Sequence, residues 1–147
     1  MSELIRRLIV TFRNPRAGFQ LTVVRQFVKF CMVGVINTVV SFSVYTVLTR
    51  YASLDPLVAN GIAFVIAVTT SFTFNKQWTF NDRGAVRLTQ YYRFFSISVV
   101  GLLLSESIMF ILHKLFLVHD MVAFASAVVV VMFWNFSANR AWTFGKR

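Results

Sequence analysis

Asn75-Lys76 and Asn139-Arg140 each set an amide beside a cation, 64 residues apart, and a tryptophan follows each pair, Trp78 and Trp142. An amide next to a cation is a binding pair for a phosphate oxygen, since one supplies a directed N–H and the other charge. Lys29 and Arg93 recur at the same offset and add positive field to the set. Basic side chains that snorkel to a membrane interface, with tryptophans in its aromatic belt, account for the cations and the rings equally well. They do not account for an Asn in the same place twice.

A second group of polar residues interrupts apolar runs. Asn37 lies three residues after Gly34 on one helical face, and Ser41 and Ser105 occupy matched positions in two such runs. An Asn at that depth either bonds a neighbouring helix or contacts a polar substrate, and Asn60 and Asn135 carry the same two readings. Glu106 is the one acid inside a run, and intramembrane carboxylates are costly enough to be functional candidates. Three roles fit it: a proton-coupling site, a partner for a sugar hydroxyl, or a protonated donor to Ser105 or Asn37. No catalytic constellation accompanies these residues. His113 and His119 lack metal-ligand spacing, Cys31 stands alone, and the chain has no Gly-rich phosphate loop. The expectation is a non-enzyme with no cofactor and no metal.

The elements that position these side chains follow from composition. Of 147 residues, 57% are hydrophobic and 14% charged, against about 25% charged in a soluble domain. Uncharged runs of about 20 residues, the length that crosses a hydrocarbon core of ~30 Å, lie between Lys29 and Arg50, between Asp55 and Lys76, from Phe94 to His113 (broken by Glu106) and between Asp120 and Arg140. Helix is the conformation that satisfies backbone groups in lipid, so the fold class is an all-α membrane protein with four transmembrane helices. Thirteen of the fifteen Lys and Arg precede the first run, join the second to the third, or follow the fourth, leaving only Arg50 and Lys114 on the other side. The positive-inside rule then places both termini and the middle loop in the cytoplasm. That segregation also argues against nucleic acid as the partner of the +10 net charge.

Residues 1–26 read as a basic cytoplasmic or interfacial segment. Within it, Leu4, Ile5, Leu8, Ile9 and Phe12 recur at helical spacing and suggest an N-terminal amphipathic helix on the interface, ended by Pro15 and Gly18. A cleaved signal peptide is not expected. Residues 27–147 form the four-span domain. Sliding the chain by 64 positions aligns residues 26–80 with 90–144 without a gap, fifteen pairs being identical. Two spans per copy make the repeat parallel, with both copies facing the same way. Ala59, Ala63 and Ala67, echoed by Ala123 and Ala127, form small-residue ridges suited to close helix packing within or between protomers.

Three motifs give the chain a resemblance to the GtrA-like family of four-span membrane proteins. They are Phe30-x-x-Val33-Gly34-x-x-Asn37-Thr38, Ser71-Phe72-x-x-Asn75-Lys76-x-Trp78-Thr79-Phe80 and Asn135-Phe136-x-x-Asn139-Arg140-x-Trp142-Thr143-Phe144. The likeness covers Phe27 to Phe144. The chain departs from the pattern in its longer basic N-terminal segment and in Glu106, to which the resemblance assigns no role. What it implies is translocation of a polyprenyl-phosphate-linked sugar, such as undecaprenyl-phosphate glucose, from the cytoplasmic to the outer leaflet of a bacterial inner membrane, for cell-surface polysaccharide synthesis. The alternative it implies is a membrane anchor that recruits a glycosyltransferase.

Under the first reading a ring of Lys29, Lys76, Arg93 and Arg140, with Asn75 and Asn139, meets the lipid phosphate, while the sugar passes Asn37, Ser41 and Ser105. Under the second, Asn37 and Glu106 have no purpose. A small drug exporter would instead be expected to carry a carboxylate in the first span, and residues 30–49 hold none. Four helices leave little room for a sugar, so a homodimer or a complex with a membrane glycosyltransferase is expected.

Overall fold

A computed structural model describes residues 15–145. Among them every regular element is helical: α1 (Pro15–Arg50), α2 (Pro56–Phe74), α3 (Leu88–Met109) and α4 (Asp120–Ala138). Wider π-helical turns at Asn75–Thr79, Phe110–Leu115 and Asn139–Thr143 close the last three. With those turns, four helices are long and apolar enough to cross a membrane, the shortest having 24 residues, or about 36 Å at 1.5 Å per residue. The chain is a multi-pass, all-α membrane protein.

The first helix departs from its expected boundaries. Among the described residues α1 runs from Pro15 through Gly18 unbroken to Arg50, well ahead of residue 27, where the first span was expected to begin. Proline suits a first helical position, where φ is already set and no N–H is needed, and an interior glycine costs only about 1 kcal/mol. At 36 residues, α1 is about 54 Å long and overruns the ~30 Å hydrocarbon core at its start. The amphipathic stretch expected over residues 4–12 lies outside the described residues.

Helix α1 packs chiefly on α2, and α3 on α4, so the chain is two helical hairpins with sparser contact between them. Ala59, Ala63 and Ala67 of α2 and Ala123 and Ala127 of α4 are buried, which puts the small-residue ridges inside the protomer. Small side chains let the backbones of each hairpin approach closely. Many large apolar side chains, Val35 and Phe42 among them, face outward, as a lipid-facing surface requires. Hydroxyls on that surface are satisfied locally: Thr46, Thr69 and Ser107 each return a hydrogen bond of 2.8 Å to the carbonyl four residues back.

The 64-residue offset recurs in backbone detail. α2 and α4 have 19 residues each. Their π turns close through Phe80 N–H to the Asn75 carbonyl and Phe144 N–H to the Asn139 carbonyl, both at 2.9 Å. Ser53 and Leu117, joining the helices of each hairpin, both pass through left-handed backbone, with φ of 51° and 53°.

Candidate functional site

The last carbonyls of a helix lack intrahelical partners and carry the negative end of its dipole, so a cation is favoured there. Lys29 of α1 donates from Nζ to the Trp78 carbonyl at 3.1 Å, and Arg93 of α3 donates from Nη1 to the Trp142 carbonyl at 3.1 Å. Each cation also lies over the ring of the same tryptophan, at 5.3 and 5.4 Å from its centroid. Lys29 and Arg93 thus tie the end of each hairpin's second helix to its first helix, well inside α1 and within the first two turns of α3.

Lys76 and Arg140 reach across the hairpins instead. Lys76 bonds Gln90 Oε1 at 3.4 Å, and Arg140 donates from Nε to Gln26 Oε1 at 3.1 Å while its guanidinium sits 5.0 Å from the Phe19 ring centroid. The two differ in burial and pairing. Lys76 is 3% exposed and forms an ion pair with Asp82 at 2.8 Å; Arg140 is half-buried. Asp82 in turn accepts from Gln90 Nε2 and from the Gly84 N–H. The Lys76 hydrogen bond, opposed by desolvation and aided by Gln90, Gly84 and the Lys76 charge, holds the Asp82 carboxyl below the usual carboxylate range. Lys76 is therefore an internal counter-ion in this structure. Of the four cations expected to form a ring, Lys76 is buried and Lys29, Arg93 and Arg140 are partly exposed.

Six phenylalanines close the bundle just inside this basic end, and they are three pairs at the 64-residue offset. Phe30–Phe136 and Phe94–Phe72 meet edge to face at 5.7 and 5.6 Å between centroids. Phe80–Phe136 and Phe144–Phe72 stack at 6.2 and 6.1 Å, and Phe80 stacks on Phe144 at 4.5 Å and 18°. Matched distances on either side of the Phe80–Phe144 contact describe a local two-fold axis passing between those two rings.

Beyond the phenylalanines the hairpins part around a cavity of about 670 Å³. Its polar lining is amide and hydroxyl: Asn37, Ser41, Asn75, Ser105, Asn135 and Asn139 contribute, and among the described residues no charged one does. Aromatic rings, including Phe30, Tyr45, Phe64 and Phe94, also line it. Gly34, Thr38 and Phe42 form a four-residue-spaced stripe that lines the cavity and is exposed.

Asn75 and Asn139 are each 1% exposed. Asn139 is held through Nδ2 to the Asn135 carbonyl at 2.8 Å and through Oδ1 from the Thr143 hydroxyl at 3.0 Å. Asn75 donates to Ser71 Oγ at 3.2 Å, but its Oδ1 has no hydrogen-bond partner among the described residues, and the same holds for Oδ1 of Asn37 and Asn135. Leaving a buried acceptor unpaired costs about 1–3 kcal/mol, so three in one cavity form a set of vacant acceptors suited to hydroxyl donors.

The structure thus gathers Asn37, Ser41, Asn75, Ser105 and Asn139 around one space, and leaves Lys29, Arg93, Trp78, Trp142 and Arg140 outside it at the basic end. Glu106 joins neither group. It is exposed, absent from the cavity wall, and one turn beyond Leu102 on α3 at the position that Phe42 holds in α1. A hydrogen bond from Glu106 to Ser105 or Asn37 is not formed. Sequence reading also passed over Gly101, against which the Asn135 amide packs; a Cβ there would come within 3.0 Å of both amide atoms. The pair Gln26 and Gln90 and the matched phenylalanines were visible as repeat identities, without a sign of what they would touch. A single protomer holds a cavity in the size range of small-molecule sites, about 300–1,000 Å³, which removes the argument from lack of room for a second copy.

A sequence profile of the family described as GtrA/DPMS, transmembrane domain, matches residues 29–144. The chain is 30% identical over 120 residues to an uncharacterized membrane protein, YngA, of Bacillus subtilis (strain 168), covering 80% of this chain and 78% of that one. It is 35% identical over 66 residues to the bactoprenol-linked glucose translocase of Shigella phage SfII, and 36% over 72 residues to that of Shigella phage SfV. Those two alignments cover 45% and 48% of this chain and 55% and 60% of the translocases.

Proposed function

The chain belongs to the GtrA/DPMS transmembrane-domain family, and from that membership we propose that it moves a polyprenyl-phosphate-linked sugar from the cytoplasmic to the outer leaflet of a bacterial inner membrane. The observation that carries this reading is the uncharged cavity with its three unpaired amide oxygens. Hydroxyl groups of a sugar donate to such oxygens, and the apolar faces of a sugar ring pack on the neighbouring aromatic rings. A charged headgroup would be stranded there without a counter-ion. Two translocases of bactoprenol-linked glucose among the relatives point to the same substrate class.

The steps need no bond to be made or broken in the cargo, so the role is transport and not catalysis. The basic end, in the cytoplasm by the positive-inside rule, receives the phosphate. The sugar enters past the six phenylalanines, exchanges water for Asn37, Asn75 and Asn135, and leaves toward the outer leaflet past Ser41 and Ser105. The prenyl chain stays in lipid beside the exposed Gly34–Thr38–Phe42 stripe throughout. A homodimer or a membrane glycosyltransferase partner would act by delivering or consuming the cargo.

The test is purified chain in liposomes with a fluorescent polyprenyl-phosphate sugar, whose arrival in the opposite leaflet is followed by quenching. Acceleration over protein-free liposomes that is lost in Asn37→Leu with Asn135→Leu is the expected result. No acceleration, together with co-purification of a glycosyltransferase whose membrane attachment needs this chain, would replace the reading with that of an anchor.

A further inference from the structure

A second cavity, of about 490 Å³, lies at the basic end on the far side of the phenylalanine layer, between the loop that joins α2 to α3 and the end of α4. Phe80 and Phe144 form its floor, and Arg83, Arg87 and Arg93 converge on it. Among the described residues its one acid is Asp82, already committed to Lys76 at 2.8 Å and to Gln90 and the Gly84 N–H. Among the described residues, none of the three arginines has a carboxylate partner. Arg93 uses Nη1 on the Trp142 carbonyl, which leaves the other donors of its fork available. Helix α3 starts beside the cavity with no acid in its first turn and no side-chain cap, so its dipole adds to the positive field without opposing it.

We propose that this cavity is a phosphate-binding site in which Arg83, Arg87 and Arg93 hold the oxygens of a phosphate ester outside the membrane span. Topology alone would be served by arginines anywhere on this face; it does not call for three of them around one space from which the only acid has been withdrawn by Lys76. Guanidinium forks match phosphate oxygens in pairs, a geometry that lysine does not reproduce. The division of labour follows: phosphate at the arginines, hydroxyl groups beyond the phenylalanines. Lys76 serves by neutralising Asp82 and touches no ligand. The site stands independently of translocation, because it requires binding only.

Binding of farnesyl phosphate to the full chain in non-ionic detergent, measured by thermophoresis, tests it. Farnesol is the uncharged comparison, and inorganic phosphate is added as competitor. Farnesyl phosphate should bind and farnesol should not, and Arg83→Gln with Arg87→Gln should weaken binding by about tenfold or more per arginine. Displacement by inorganic phosphate assigns the site to the phosphate group alone, and failure to displace assigns it to a lipid-linked phosphate. Arg83 and Arg87 are exposed, so the variant should keep its circular dichroism and elution volume. Arg50→Gln with Lys114→Gln, at the other end of the bundle, controls for net charge. Unchanged affinity in the arginine variant, or an equal loss in the Arg50 and Lys114 control, overturns the site. Since no bilayer is present, either result leaves the translocation measurement to be decided separately.

Discussion

Phe80 and Phe144, 64 residues apart in the chain, stack at 4.5 Å between centroids with their planes 18° apart, and the contact lies between the two cavities. Each ring follows a π turn, and each is backed by a phenylalanine of the other hairpin, Phe136 behind Phe80 and Phe72 behind Phe144. The layer is apolar on the path that a hydrated headgroup would take from the basic end.

Opening that layer should be easier when the stack is weakened. An aromatic pair is worth about 0.5–1.5 kcal/mol beyond its burial, so Phe80→Leu with Phe144→Leu should favour the open state about 2–10-fold. In a Cys31→Ser chain carrying Ser71→Cys on the cavity wall, a membrane-impermeant thiol reagent added on the basic side should react faster by that factor. Equal rates would show that the cavity is not closed by these rings.

The Lys76–Asp82 pair gives stability a pH dependence of known sign. The folded pKa of Asp82 is depressed, so the contribution of the pair is present above the unfolded value of about 3.9 and is lost as pH falls through the folded one. Thermal stability in detergent should fall on acidification below about pH 4, and Asp82→Asn should flatten that response. Lys76→Met leaves the acid alone. Breaking a buried pair on one side costs about 3–5 kcal/mol, a figure lowered here by the 30% exposure of the Asp82 side chain. Lys76→Met with Asp82→Asn should recover most of the loss.

Four spans and a basic end were legible because charges are so sparse that their positions mark the helix ends. The arrangement of the cations at that end was legible only in part. That Lys76 folds onto Asp82 depends on a turn in which the Asp82 N–H bonds the Lys76 carbonyl at 2.8 Å, after Asn81 passes through left-handed backbone at φ 51°. Residue types six apart do not announce such a turn. Asn37 and Asn135 were recognised as polar positions, but their convergence comes from which helix each faces: Asn37 is on the first helix of its hairpin and Asn135 on the second of the other. The early reach of α1 was obscured because Gly18, a helix breaker in many contexts, is helical here.

Glu106 is expected to be dispensable for movement of the sugar. It lies outside the cavity wall, exposed on α3 one turn past Leu102, and its repeat counterpart is Phe42. Glu106→Gln should leave the rate of translocation and its pH profile unchanged. A pH profile that flattens in the glutamine variant would restore a coupling role to this carboxylate.

Gly101 and Asn135 offer the sharpest test of the cavity, because one is defined by the other. The Asn135 amide rests where a Cβ on residue 101 would stand 3.0 Å from both its oxygen and its nitrogen, so Gly101→Ala must displace it. The displaced tip is the end of a flexible side chain, and the fold should survive with little change in unfolding temperature. Its unpaired oxygen, however, would no longer point where a hydroxyl can reach it. Losing one or two hydrogen bonds at about 1 kcal/mol each predicts a fall of about 5–30-fold in transport efficiency. Asn135→Ala should cause a similar fall, and the two changes together should cost no more than either alone, the signature of coupled sites. Fully additive losses would mean that Gly101 and Asn135 act on transport separately, and that the amide is not what the glycine makes room for.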